Sequence, residues 1–348
     1  MRNKKLSDVK GMSHNLHFLR FVAATIVIMS HSFALSTGNF ENEWFQVISK
    51  GQITGGAFAV GVFFLFSGFL IERSLRKNPT CKEFVLGRCV RIFPVLVVVT
   101  LLCIFVLGPV VTENTLKEYF EQPETYRYFL NAIFILQHNL PGVFKNNIYA
   151  PTINGALWTL PVEFLCYIIC LLADKLRVLT VKRAWMTIPV VIVGSSLCYY
   201  LSVNYVGEIL LTVLFPVLCF YVGAIYCVYS AYITLDIRIF WLMLVGTLGL
   251  GILGILKVGI VCCFTYCLIY IAFGAKDRCP RIWKLGNLSY AMYLCAFPIQ
   301  QLIIHYFGGR MSPYLNILIS IPIIIILAYC LYHLVEEKFA VLWKRRTK

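Results

Sequence analysis

The sequence predicts an all-α protein: a polytopic membrane helical bundle of about ten transmembrane helices, with N- and C-termini cytoplasmic. Three observations carry this expectation. Of the 348 residues, 59% are hydrophobic and only 14% charged, and the mean hydropathy is +0.78. A soluble domain holds about 45–50% apolar and about 25% charged residues. The apolar residues fall in runs of about 20, the length that crosses the hydrocarbon core as a helix. Basic residues crowd into alternate loops, as the positive-inside rule requires of a cytoplasmic N-terminus.

In chain order the predicted spans are 18–36, 53–72, 92–112, 154–173, 186–203, 208–228, 239–255, 258–274, 286–307 and 314–334. Only Leu256 and Lys257 separate the seventh from the eighth, which makes that pair the least distinct. With the N-terminus inside, 25 of the 31 Lys and Arg lie in cytoplasmic segments; the others are Lys50, Lys117, Arg127, Lys145, Lys257 and Arg310. The formal net charge of +15 is thereby explained by topology, with no call on nucleic acid. The whole chain, 1–348, reads as a single transmembrane domain with a cytoplasmic tail at 1–17, a long extracytoplasmic loop at 113–153 and a basic cytoplasmic tail at 335–348. The loop carries Glu113, Glu118, Glu121 and Glu124, then YRYFLNAIFILQHNL. That stretch predicts a short amphipathic helix on the outer surface, or a partly re-entrant one, and a structured loop of this length tends to cover a site. The basic N-terminus is not expected to be a cleaved signal, because its apolar run lacks a small-residue cleavage site. No further soluble domain is expected at either end.

The 14 cysteines form no Cys-x-x-Cys pair, and most lie within apolar runs. No metal site or disulfide framework is expected, and the thiols read as small hydrophobes between helices.

Ionisable residues within a span are costly and mark function by default. His31 in the first span and Glu163 in the fourth stand out, whereas Glu72, Asp174 and Glu336 fall at cytoplasmic ends where Arg or Lys can pair with them. Arg20 opens and His31 closes RFVAATIVIMSH. Eleven residues at about 100° each make three turns plus about 20°, so the two share one helix face, about 16 Å apart along the axis. Arg20 then lies at the cytoplasmic rim and His31 past the midplane. This suits a long, thin substrate that is anionic at one end and reactive at the other, and acyl-coenzyme A has that shape. An arginine fork matches phosphate, and a neutral imidazole can take a proton from an attacking hydroxyl. Arg20 also reads as a membrane anchor, and His31 as a packed polar side chain.

Three further stretches bear on the same chemistry. In GVFFLFSGFLIERSLRKN, residues 61–78, the small Gly61, Ser67 and Gly68 either let helices approach or clear space for a cofactor arm. In RCVRIFP, Arg88 and Arg91 share a helix face at the cytoplasmic surface, level with Arg20, as anchors or as a phosphate clamp. In LWTLPVEFLCY, residues 157–167, Pro161 is expected to interrupt the helix and free a backbone carbonyl near Glu163. Glu163 is expected to orient the His31 imidazole, or to bind the hydroxyls of an acceptor sugar, or to be a buried structural acid.

These stretches, with LSYAMYLCAFPI at 288–299, resemble the acyltransferase-3 family of integral-membrane O-acyltransferases. The carriers are Arg20 and His31, FFLFSGF at 63–69, RCVR at 88–91, and LWTLPVE at 157–163, which is similar to the family pattern Trp-Ser/Thr-Leu-x-x-Glu. The resemblance spans about 20–300 and implies a ten-span bundle that takes an acyl group, usually acetyl, from cytoplasmic acyl-CoA to a hydroxyl of a bacterial surface glycan. It implies Arg20, Arg88 and Arg91 at the CoA end, with Ser67 beside the donor, His31 as the catalytic residue and Glu163 at the family's acidic position. Trp158 and Thr159 are expected at the acceptor. Ala296 stands where the family often has His, so no acid–base chemistry is expected there; Thr159 replaces the commoner Ser and keeps the hydroxyl.

The sequence is therefore read as a membrane O-acetyltransferase of the bacterial inner membrane. It would use acetyl-CoA as donor and a cell-surface polysaccharide or lipid-linked sugar as acceptor, such as O-antigen, capsule or exopolysaccharide. The alternative is a proton-coupled transporter or flippase, for which intramembrane His and Glu and a Pro-broken span would also serve; a glycan polymerase is a weaker third reading.

Overall fold

The computed structural model describes residues 4–9, 13–149, 151–184, 205–276 and 285–346. Within them the chain is helical, with one isolated antiparallel bridge between Lys5 and Thr234. Nine longer helices build the described bundle. They are α1 (His14–Thr37), α2 (Gly55–Leu75), α3 (Cys81–Val111), α4 (Gly155–Lys175), α5 (Tyr205–Val228), α6 (Ile237–Ile252), α7 (Leu256–Gly274), α8 (Ser289–Tyr306) and α9 (Pro313–Trp343). Six of these, α1, α2, α3, α4, α7 and α9, are long and apolar enough to cross a membrane. The span expected at 186–203 lies outside the described residues.

Local chemistry sets the ends. The Ser13 hydroxyl accepts from Asn15 N at 3.2 Å and starts α1, and Gly38 stops it in the left-handed region at φ 86°. Thr54 caps α2 through Ala57 N at 3.1 Å, while the buried Glu43 carboxylate accepts from Gly55 N at 3.2 Å. Thr80 and Glu83 form a reciprocal capping box at the start of α3. The weak boundary between the seventh and eighth expected spans is a turn through Gly254, at φ 81°, with α7 beginning at Leu256.

Two expectations need correction. Pro161 does not interrupt a span. It is the third residue of the α-helical part of α4, Thr159–Lys175, which follows a 3-10 turn at Gly155–Trp158. In a first turn the missing N–H is one the helix leaves unbonded anyway, so proline is tolerated there. Nor does YRYFLNAIFILQHNL form one amphipathic helix. The loop folds as short turns, Leu116–Glu121, Pro123–Arg127 and a 3-10 turn Tyr128–Ile133, ended by Phe134 at φ 67°. Phe134 packs on Phe93 and Phe164, with ring centroids 5.0 and 5.5 Å away, which ties this part of the loop to the bundle, while Ile133 and Ile135 on either side stay exposed.

The tightest packing in the bundle joins α2 to α5. A Cβ on Gly68 would collide with the Phe220 carbonyl oxygen, and one on Gly223 with that of Leu65. Gly61 faces the Phe215 ring at 2.7 Å from where its Cβ would stand. Gly61 and Gly68 are therefore helix-packing positions rather than space for a cofactor arm. Gly68→Ala is expected to lower stability by about 3 kcal/mol or more, because the obstacle is backbone and cannot rotate away. Thermal unfolding of the detergent-solubilised protein would read this, with Gly249→Ala as control, since nothing lies within 4 Å of that position. Helix α1 packs against α2, α8 and α9, and so lies at the centre of the bundle.

Candidate functional site

Two adjoining chambers open along one face of α1. The larger, about 270 Å³, is lined by His31 with Trp158, Tyr149, Phe40 and Phe297. The smaller, about 50 Å³, is lined by Arg20 with Glu163, Thr159, Ser289 and Tyr290. Val60 and Tyr293 line both and mark their junction. The spacing inferred for Arg20 and His31 is thus realised: each faces a chamber, and the chambers adjoin.

His31 packs edge-on against Phe297, with ring centroids 5.4 Å apart, and Phe297 in turn meets Tyr149 at 6.0 Å. The His31 Nδ1 is buried and has no hydrogen-bond partner among the described residues. Glu163 does not orient the imidazole. Its Oε1 accepts from Ser67 Oγ at 2.7 Å and from the Tyr167 hydroxyl at 2.6 Å, and those two hydroxyls are 3.0 Å apart. Among the three roles weighed for Glu163, the triad-type contact is therefore absent, and the carboxylate lies beside Arg20 in the smaller chamber. Ser67 lines neither chamber; it holds Glu163.

Thr159 and Tyr293 hydroxyls lie 2.8 Å apart, and Tyr293 donates to the Ala156 carbonyl at 2.8 Å. Thr159, expected at the acceptor, lines the smaller chamber with Arg20 and not the larger one with His31. Trp158, one residue earlier, turns into the His31 chamber. Ala296 is fully buried in the apolar core.

The arginines divide. The Arg20 guanidinium carbon lies 6.0 Å from the Phe63 ring centroid, and its Nε is buried without a hydrogen-bond partner among the described residues. Arg88 donates to Ser74 Oγ at 3.1 Å and lies over Phe84 at 5.4 Å, with its Nε also unpartnered among them. Neither Arg88 nor Arg91 lines a chamber, but Arg91 is electrostatically coupled to both Arg20 and Arg88. Glu72 pairs with Arg76 at 3.2 Å, as its place at a helix end suggested. Glu336 differs. It is buried in a π turn of α9, Tyr332–Glu336, its Oε2 has no hydrogen-bond partner among the described residues, and its charged neighbours there are Arg91 and Arg20. His17, one turn before Arg20, likewise has a buried Nδ1 with no partner among the described residues. Sequence reasoning singled out none of Tyr167, Tyr293, Tyr149 and Phe297. Tyr167 left a local signal, four residues after Glu163 on the same helix face, and Tyr293 and Phe297 lie within the quoted stretch LSYAMYLCAFPI; Tyr149 left none.

The family model described as "Acyltransferase domain" matches residues 13–333. A protein of Shigella phage Sf6 named "O-acetyl transferase" is 31% identical over 330 residues, covering 92% of this chain and 94% of its own. No solved structure matches the chain. Arg20, His31, Ser67, Arg88, Arg91 and Glu163 all fall inside the matched region. The chain belongs to the acyltransferase-3 family of membrane acyltransferases.

Proposed function

We propose that the protein moves an acetyl group from cytoplasmic acetyl-CoA to a hydroxyl of a cell-surface polysaccharide or lipid-linked sugar. The observation that carries this reading is the pair of adjoining chambers along α1, one lined by Arg20 and the other by His31. The name of the phage relative supports O-acetyl transfer. In this reading the chain has ten spans, both termini are cytoplasmic, and the protein resides in a bacterial inner membrane; the excess of Lys and Arg in the inner loops supports that orientation.

The donor's phosphates rest at the Arg20, Arg88 and Arg91 end. The buried, unpartnered Nε atoms of Arg20 and Arg88 are donors of the kind a phosphate oxygen satisfies. The acyl arm enters by way of the narrow chamber, which at about 50 Å³ has to widen to admit it, and brings the thioester toward Tyr293. The larger chamber receives the acceptor. Its volume, about 270 Å³, falls below the about 300–1,000 Å³ of drug-sized ligand sites, so a single sugar ring suits it better than a longer glycan. Trp158, Tyr149 and Phe40 offer flat apolar faces to that ring.

His31 acts as general base. It takes the proton of the acceptor hydroxyl as the oxygen attacks the thioester carbonyl carbon. The C–O bond forms, the C–S bond breaks, and the imidazolium returns its proton to the departing CoA thiolate. With Nδ1 unpartnered among the described residues, no carboxylate orients the ring, and packing against Phe297 does so instead.

Purified protein in lipid nanodiscs, given radiolabelled acetyl-CoA and glycan-bearing lipid, should label the glycan. Absence of label on the glycan, together with uptake of the unmodified glycan into vesicles, would replace this reading with transport. Arg88→Ala and Arg91→Ala are each expected to raise the KM for acetyl-CoA by about 3- to 10-fold, since both act from beside the chamber rather than within it. A change only in membrane insertion or abundance would instead make them anchors.

A further inference from the structure

Ser67 was expected to touch the donor, yet it lines neither chamber and gives its hydrogen bond to Glu163 at 2.7 Å. Tyr167 does the same from the opposite side at 2.6 Å. Both hydroxyls act on one oxygen, Oε1, and both come from rigid places. Tyr167 is 3% exposed and lies one turn along α4 from Glu163. Ser67 precedes Gly68, where α2 meets the backbone of α5 with no room to slide. The carboxylate is therefore fixed from two helices, and its second oxygen accepts no hydrogen bond from the described residues.

That oxygen belongs to the side chain that lines the narrow chamber together with Arg20. A carboxylate there has two consequences. It only accepts hydrogen bonds, and it repels anions. A phosphate is thus kept at the arginine end, whereas a neutral arm bearing amide N–H groups finds an acceptor waiting. The arm of acetyl-CoA carries such amides. We propose that Ser67 and Tyr167 are positioning residues that hold Glu163 so that its free oxygen accepts an amide N–H of the donor's arm. This rests on the reading of acetyl-CoA as donor.

The test uses the full-length protein in nanodiscs and two donors, acetyl-CoA and S-acetylpantetheine, which keeps the amide arm but lacks the nucleotide. Tyr167→Phe, which preserves the ring, and Ser67→Ala should each raise the KM for both donors by about 5- to 10-fold, with kcat nearly unchanged. Placed on Glu163→Gln, Tyr167→Phe should add less than about twofold, because a residue acting through Glu163 has nothing left to position. The proposal is overturned if Tyr167→Phe and Ser67→Ala leave both KM values unchanged. It is equally overturned if Tyr167→Phe has its full effect on top of Glu163→Gln, or lowers kcat and thermal stability alone. Wild-type protein that transfers acetyl from neither donor would overturn the donor reading itself, and this proposal with it.

Discussion

His31→Ala is expected to lower kcat for acetyl transfer by about 10²–10⁴-fold, the usual contribution of a positioned general base, while the KM for acetyl-CoA stays close to that of the wild type. The asymmetry follows from the geometry. His31 lines the acceptor chamber, and the arginines that would meet the donor's phosphates are at the other end of α1. His31→Gln should behave like the alanine variant, since an amide hydrogen-bonds but does not take a proton at neutral pH. A relocated base gives the sharper measurement. Leu35 is one turn beyond His31 and lines the same chamber. Combining His31→Ala with Leu35→His moves the imidazole by about 6 Å along the axis, and no recovery of transfer is expected. Leu35→His with His31 intact supplies the control for folding. Recovery in the relocated variant would mean that the position of the base along α1 does not matter.

Arg20→Ala is expected to raise the KM for acetyl-CoA by about 10- to 100-fold, the effect of losing hydrogen bonds between charged partners in a site shielded from water. Arg20 should exceed Arg88 and Arg91 because it alone of the three lines a chamber. Arg20→Lys keeps the positive charge near Glu163 and Glu336 but offers no planar fork, so it should recover the protein's abundance and only part of the affinity. S-acetylpantetheine separates the roles further. Lacking phosphates of the nucleotide, it should be nearly indifferent to Arg20→Ala. Steady-state kinetics with the two donors checks this, and equal losses for both would place Arg20 in the general packing of the bundle.

Much of this site was legible in the chain. Arg20 and His31 share a face because helix geometry depends only on residue count, and both side chains do face the cavity. The apolar runs marked seven of the nine described helices to within a few residues; the third begins at Cys81, well before its expected start, and the last runs past its expected end. Glu163 was recognisable as a costly intramembrane acid, but its partners were not. The candidate nearest in function, His31, makes no bond with it; the hydroxyls of Ser67 and Tyr167 do. Pro161 misled for a local reason. A proline reads as a break until the helix start is known, and the 3-10 turn at Gly155–Trp158 moves that start to Thr159. Glu336 looked like a simple end-of-span partner for a basic residue, yet α9 carries it into the neighbourhood of Arg20 and Arg91.

The sequence alone determined that the chain is a helical membrane protein, where most of its described helices run, and that Arg20 and His31 lie along one line. These properties are local. They follow from the desolvation of about 20 consecutive residues and from the fixed pitch of the helix. Only the tertiary structure decided which groups meet across helices: Glu163 with Ser67 and Tyr167, Thr159 with Tyr293, His31 with Phe297. Such contacts depend on how far each helix is rotated and how closely two backbones approach. Here that is set by glycine contacts such as Gly68 and Gly223, which join α2 to α5 across more than a hundred residues of chain. No periodicity within a single span carries that information.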